Sequence, residues 1–432
     1  MNAAQIEVMS QVRVSSGHPV ERLACHPRLP LVAGWDSERP GVHVWAHEAS
    51  RLHEIASIGA ESRAYGDAFG SDRERRTPTA AWHPDLPLLV VADEDHVVQW
   101  TPAGLSEPDG IPGAARYHSL AFSPDGRTLW ASPSSSADAD SAWESSDVLD
   151  LASATVSTGP RWDTGVAEHP AGGLVATLAS DQGATFGLFA RVDQDAENGS
   201  AAMRVLRRAL ILDADGYETP IFSTDGRHLA IRGNAYGNCL QVFEFPSLHR
   251  VLATTLGDPS PGYPYPQEWL DQMRAWSRHN IAFASHAAVL WVGTPTGSLI
   301  EVNLPTLQAV EHDVLAGSPV TALGTTATGE LVVAGGTGDL VLVSARVACA
   351  EPLDTGAETS TAAVAAFLAA TSGIPDDGDL ETHLVVTDGA RTWEPGDLNA
   401  VTTAAAADPS WLQLAAAIND MHVQDEEQRA PE

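Results

Sequence analysis

The sequence predicts an all-β fold, a β-propeller, and three observations carry that prediction. One phrase recurs along the chain: an apolar run, a tight polar turn, a second apolar run, a polar hairpin, then a strand often ending in Trp. Residues 23–36 (LACHPRLPLVAGWD) leading to 42–45 (VHVW), and 80–93 (AAWHPDLPLLVVAD) leading to 97–100 (VVQW), are nearly superimposable copies. The runs are short, period-two segments bounded by Pro, Gly and Asp, a pattern of strands. A polar fourth strand fits after most copies, as at 51–58, 204–210 and 249–252. A unit of this length cannot bury its own apolar face and must stack on its neighbours. Four-stranded antiparallel units set around an axis achieve that.

Eight candidate units begin near residues 22, 79, 117, 163, 218, 280, 320 and 362. In the first two, Pro-x-x-Pro makes the turn after the first strand. In the third and fifth, Ser-Pro-Asp-Gly (123–126) and Ser-Thr-Asp-Gly (223–226) do so. The fourth places His169-Pro170 before apolar runs at 174–178 and 184–189. The sixth uses 280–283, 289–293 and 298–302, and the seventh 320–323, 330–334 and 339–343. The eighth combines 363–368 with 383–393; its Ala-rich first segment also suits a helix. Eight blades are favoured by this count, with seven the alternative. The run 5–14 alternates and lacks a partner, and no outer strand follows Trp393. The N-terminal strand is therefore expected to close the ring as the outer strand of the last unit. This divides the chain into a propeller over 1–395 and a helical, acidic C-terminal tail over 396–432.

Composition bounds the chemistry. The 432 residues are 44% hydrophobic and 19% charged, which reads as globular. A formal charge of −33 argues against a phosphate-backbone partner, which needs a basic stripe. All 24 basic residues are Arg, which fits a high-GC coding bias. Cys25, Cys239 and Cys349 are few and far apart, so reduced, buried thiols are expected over a disulfide frame. No signal peptide and no apolar stretch of membrane-spanning length is visible, which points to the cytoplasm.

Ala121-Phe122-Ser123-Pro124-Asp125-Gly126 and the strand-final Trp45, Trp100 and Trp393 resemble WD repeats over roughly residues 22–395. The chain departs from that pattern after each Trp, where Ala46, Thr101 and Glu394 stand in place of Asp. The resemblance implies a WD40-like propeller acting as a noncatalytic platform for another protein, in signalling or defence assemblies. It also implies that outer-to-inner and second-to-third connections emerge on one face. The insertions 59–78, 257–279 and 133–142 would then share that face, and the acidic insertions 193–200 and 375–381 the opposite one.

In the 257–279 insertion, Pro266 can open a helix. Trp269, Met273 and Trp276 then share one side at i, i+4 and i+7, with Tyr263 and Tyr265 just before. That side either caps the rim or anchors a partner, since Trp, Tyr and Met are enriched in interfaces. The run 72–76 (DRERR) offers Arg73, Arg75 and Arg76 to a carboxylate or phosphate, or is a solvated loop neutralised by its own acids. Trp411 lies in an amphipathic helix over 409–418, capped by Asp408 or Ser410, that either docks on its own propeller or recruits another protein.

His26, His83 and His169 precede Pro at equivalent turns, and Asp36, Asp93, Asp181, Asp339 and Asp388 recur between second and third strands. Repetition at one structural position reads as architecture. The chain lacks a phosphate loop, paired metal histidines, Cys-x-x-Cys and a nucleophile elbow, so no enzyme activity and no cofactor are expected. A propeller-type metal-dependent hydrolase or lactonase is the alternative reading. A sensor of anionic peptides or small ligands using the Arg-bearing loop is a third.

Overall fold

The computed structural model describes residues 5–94, 96–108, 111, 116–135, 145–181, 184–194, 201–213, 216–233, 238–285, 288–346, 356–375 and 380–429. These form seven sheets, six of four strands and one of seven. Sheet 1 contains Val20–Cys25, Leu31–Asp36, Val42–Glu48 and Arg51–Ile58, each antiparallel to the next. Sheet 2 contains Thr79–Trp82, Leu89–Ala92, Val97–Thr101 and Gly104–Ser106, and sheet 3 Ser119–Phe122, Thr128–Ser132, Ser145–Asp150 and Thr155–Pro160. Sheet 4 begins with Ala167–Glu168, Leu174–Asp181 and Ala184–Gln194. Sheet 5 contains Ile221–Phe222, His228–Arg232, Cys239–Glu244 and Arg250–Thr255. Sheet 6 contains Ile281–Phe283, Val289–Gly293, Ser298–Asn303 and Gln308–Asp313. Sheet 7 contains Val320–Thr325, Leu331–Gly335 and Asp339–Arg346. The two polar turns and the period-two runs of the sequence thus become up-and-down strands in each repeat.

Each sheet shares a buried core with the next. Trp35 and Val44 meet Trp82 and Leu89 between sheets 1 and 2, and Val90 and Ala92 meet Leu129 and Leu149 between 2 and 3. Trp130 and Val148 meet Val175 and Ala190, and Leu174 and Phe189 meet Leu229 and Phe243. Val242 meets Leu290 and Val292, and Trp291 meets Leu323 and Val333. Finally Val332 and Leu342 of sheet 7 pack on Val32 and Trp45 of sheet 1, so the packing returns to its start. A propeller-like arrangement results, in which no repeat is stable without its neighbours. Burial of each large apolar side chain in these seams contributes roughly 1.5–3 kcal/mol.

The repeated turn histidines are staples between sheets. His26 Nδ1 accepts the N–H groups of Arg28 (3.1 Å) and Leu29 (3.0 Å), so its Nε2–H donates to Leu86 O of the next sheet at 2.9 Å. His169 does the same, accepting from Ala171 N and donating to Gly226 O at 3.0 Å. His83 accepts from Asp85 N and Leu86 N and lies on Gly126, where a Cβ would sit 2.2 Å from Nε2. Gly126 also has φ +71°, so glycine is required there twice over. Burial lowers the pKa of all three imidazoles, as a neutral staple needs.

Two expectations are corrected. The N-terminal strand Gln5–Arg13 closes onto Asp339–Arg346, from Gln5 opposite Arg346 to Arg13 opposite Asp339. It thus completes sheet 7, not the unit near 362. That last unit forms no sheet of its own. Two helices lie between sheets, α1 (Ser71–Arg76) after sheet 1 and α2 (Gln267–Ala275) after sheet 5. The Ala-rich segment folds as α3 (Gly356–Ala369), the helical option of the sequence. Val364 and Phe367 bury against the seam of sheets 4 and 5, with Phe367 5.0 Å from Phe189 and 5.1 Å from Phe245.

The rest extends sheet 4. Its outer strand is broken into Ala201–Val205 and Arg208–Asp213, both paired with Ala184–Gln194. Val385–Thr387 adds in parallel to Arg208–Asp213, and Thr392–Trp393 follows as a hairpin. Covering the edge removes a template for unwanted pairing. After α4 (Leu380–His383) and α5 (Asp397–Ala400), α6 (Ser410–Arg429) docks on the same sheet. Trp411 and Leu412 bury beside Ala179 and Ile211, and Trp411 meets Trp393 edge-on at 5.0 Å. Asp213 accepts from Ser410 N at 2.8 Å, so an acid of sheet 4 serves the start of α6.

Candidate interaction face

The connection 59–78 is built around Tyr65. Its N–H donates to Glu38 O at 2.8 Å, and its buried ring carries the Arg73 and Arg76 guanidinium groups at 4.7 and 5.5 Å. Arg73 also donates to Ser37 O at 2.7 Å and pairs with Glu21. Arg76 donates to Tyr65 O (3.0 Å), Ala64 O (2.9 Å) and Arg63 O (3.1 Å). Two of the three arginines therefore hold the insertion together. Arg75 is exposed and pairs with Asp72. Phe69, at the outer end, is 84% exposed.

The connection 257–279 is anchored from beneath. Trp269 and Met273 are buried, and Trp276 packs half-buried on the seam of sheets 5 and 6. Trp276 lies over Gly257 (φ +86°), where a Cβ would come within 2.8 Å of its Nε1. Trp269 Nε1 donates to Asp258 O at 3.1 Å. Tyr265 stacks on Trp269 at 5.0 Å, Tyr263 meets Tyr265 edge-on at 6.1 Å, and Tyr263 is 89% exposed. Trp269 and Met273 of α2, with Trp276 just beyond its end, thus dock inward, while Tyr263 points out.

A buried arginine holds this insertion in place. Arg232 donates to Asn280 Oδ1 (3.0 Å), Asn238 Oδ1 (2.8 Å) and Ser277 O (3.0 Å). Asn238 in turn donates to Met273 O of α2 at 3.0 Å. Burial lowers Arg232 to about 10, well above neutral, so the cation persists.

Each insertion carries a charged pair to a neighbouring acid. Arg278 Nε donates to Glu218 Oε1 at 2.6 Å, and His279 Nδ1 lies 3.7 Å from the other oxygen. Arg22 stacks on Trp35 at 4.9 Å; burial lowers its pKa, and the neighbouring Glu218 and Glu21 oppose that. Burial raises Glu21 to about 7, against the pull of Arg73. Burial likewise lowers His279 to about 4, with Glu218 opposing. Arg73 with Glu21 and Arg278 with Glu218 thus form one charged pair at each insertion, and Arg22 feels the charge of both acids.

Arg22, Glu218, Arg232 and Asn238 were not singled out by sequence. Arg232 ends an otherwise apolar strand, HLAIR, and that was the available signal. Trp411 is buried intramolecularly and takes no part in this face. Most of the 133–142 insertion and of the two acidic insertions lies outside the described residues. Among the described residues no group of three or more His, Cys, Asp or Glu is placed to hold a metal ion. No helix among them is long and apolar enough to cross a membrane. No protein-family model matches this chain, and no curated protein matches it.

Proposed function

We propose that the protein is a noncatalytic scaffold, a seven-bladed WD-type propeller that holds a partner protein on the face bearing its two insertions. The aromatic ladder of 257–279 carries this reading: its root, Trp269, is buried, while its tip, Tyr263, is 89% exposed. A large aromatic held from below loses little further entropy on binding, the property of an interface anchor. Phe69 offers a second exposed aromatic on the other insertion. The WD-type reading is supported by His18 and His43 around Asp36, beside Trp45, inside sheet 1. The unpaired thiols Cys25 and Cys239 suit a reducing cytoplasm.

The test is affinity purification from the native host of wild type and of Tyr263→Ser combined with Phe69→Ser. The expected result is one stoichiometric partner, bound by the variant roughly 30-fold more weakly, a loss of about 2 kcal/mol. Both side chains are exposed, so the melting temperature should not move. A wild type that retains no partner, or a variant that retains it equally, removes the scaffold reading.

A further inference from the structure

The break in the outer strand of sheet 4 leaves two adjacent arginines over a groove of about 620 Å³, away from the two insertions. Arg207 and Arg208 line it with Thr371, Ser372, Thr387 and Thr392, together with the apolar Ala369, Ala370 and Val385. The backbone of Arg207 is clamped on both sides, its N–H donating to Ser372 O (2.9 Å) and its carbonyl accepting from Val385 N (2.6 Å). Its Nε donates to His383 O at 3.0 Å, and among the described residues neither terminal nitrogen of the guanidinium has an acceptor. Arg208 stacks on Phe367 at 5.1 Å and donates one Nη2 hydrogen bond to Ser247 O at 2.6 Å.

Neither guanidinium has a carboxylate within ion-pair distance among the described residues, although the chain carries 57 acids against 24 bases. Some exposed arginines elsewhere on the molecule have such partners, as Arg161, Arg274 and Arg391 do. Two neighbouring cations left unpaired in a concave site are poised for a doubly charged, multiply accepting anion. A phosphate monoester meets both needs, and Ser372 and Thr392 add hydroxyl-bearing side chains to the same groove. The volume falls in the range of small-molecule sites. Glu394, the one acid among the described residues that line the groove, is an acceptor for the hydroxyl groups of such a ligand.

We propose that the Arg207–Arg208 groove binds a phosphorylated small molecule, with its phosphate on the two guanidinium groups. Burial lowers the pKa of Arg208, and a bound dianion would offset that cost. The site rests on the folding of the C-terminal segment onto sheet 4 and is independent of the partner-binding face.

The experiment is calorimetric titration of the full chain with pyrophosphate, with glucose 6-phosphate and with citrate at low ionic strength. Saturable binding of a phosphate probe, at least tenfold tighter than citrate, is expected. Arg207→Gln should weaken it at least tenfold. Thr392→Glu, which keeps both arginines but places a carboxylate opposite them, should do the same and decides the matter if the first variant fails to fold. No saturation by either phosphate probe up to about 10 mM, a weak-site limit by ordinary affinity arithmetic, overturns the proposal. So does citrate binding as tightly as phosphate, or unchanged affinity in a folded variant of either kind.

Discussion

His43 sits between two carboxylates inside sheet 1. Its Nδ1 lies 2.8 Å from Glu54 and its Nε2 3.4 Å from Asp36, while Ser15 donates to Glu54 and His18 lies beside Asp36. Burial opposes the imidazolium, but the hydrogen bonds and charges of Asp36 and Glu54 outweigh it and raise His43 to about 9. Burial also opposes the charge of Asp36, yet its donors hold it well below the usual carboxylate range. Between the ordinary value of 6.5 and 9 the folded state binds more protons than the unfolded one. The stabilisation is therefore fully present below about pH 6.5 and is lost as pH rises through about 9, on the order of 3 kcal/mol in all. Glu21 acts in a lower window: raised to about 7, it favours the folded state when protonated, so its contribution fades as pH climbs from 4.5 to 7. Urea denaturation of wild type and His43→Gln from pH 7 to 9.5 separates the two. The variant should be less stable at pH 7 and show a flatter decline. Equal slopes would remove the imidazolium from the account.

At the scale of elements, the C-terminal segment is a satellite of sheet 4. Trp411 and Leu412 bury against Ala179, Ile211 and Trp393, and Asn419 donates to Leu398 O (2.7 Å) and Val401 O (2.8 Å). Trp411→Ala should cost about 3–5 kcal/mol of that docking. Because α6 is tied to one sheet, the loss should be local. Hydrogen exchange should rise over 385–429 while sheets 1–3 keep their protection; uniform protection, or global unfolding, would contradict this. The sequence is informative at this scale where one element carries its own pattern. Spacing alone placed Trp269, Met273 and Trp276 on one side of α2, and Ala content flagged the α3 segment. It could not say that α2 docks that side inward, because a spacing defines a face and not what covers it.

For the whole molecule the joint is the N-terminal strand. Residues 5–13 supply the outer strand of sheet 7, and Val14 is buried beside Leu340 and Leu342 in the seam with sheet 1. Deleting residues 1–14 uncovers the edge of Asp339–Arg346 and loosens that seam. A loss on the order of 3 kcal/mol, at roughly 2 °C per kcal/mol in a large domain, lowers the melting temperature by about 6 °C or more. The freed edge should also pair between molecules. Calorimetry with size-exclusion chromatography checks both, and an unchanged, monomeric variant would show that closure does not rest on this strand.

The repeated turns, the period-two runs and the strand-ending tryptophans were enough to predict stacked antiparallel sheets, because each is a local preference that every repeat restates. His26, His83 and His169 were legible as architecture for the same reason, though what each one reaches, Leu86 O, Gly126 or Gly226 O, lies in the next sheet. Tertiary structure alone decided that 5–13 pairs with 339–346, that the eighth unit extends sheet 4, and that Arg232 and Asn238 hold α2 in place. Alternation tells a strand which side to bury and not which strand to join. Pairings between distant segments are set by the closed packing of the whole, and the groove at Arg207 and Arg208 exists only once that packing is complete.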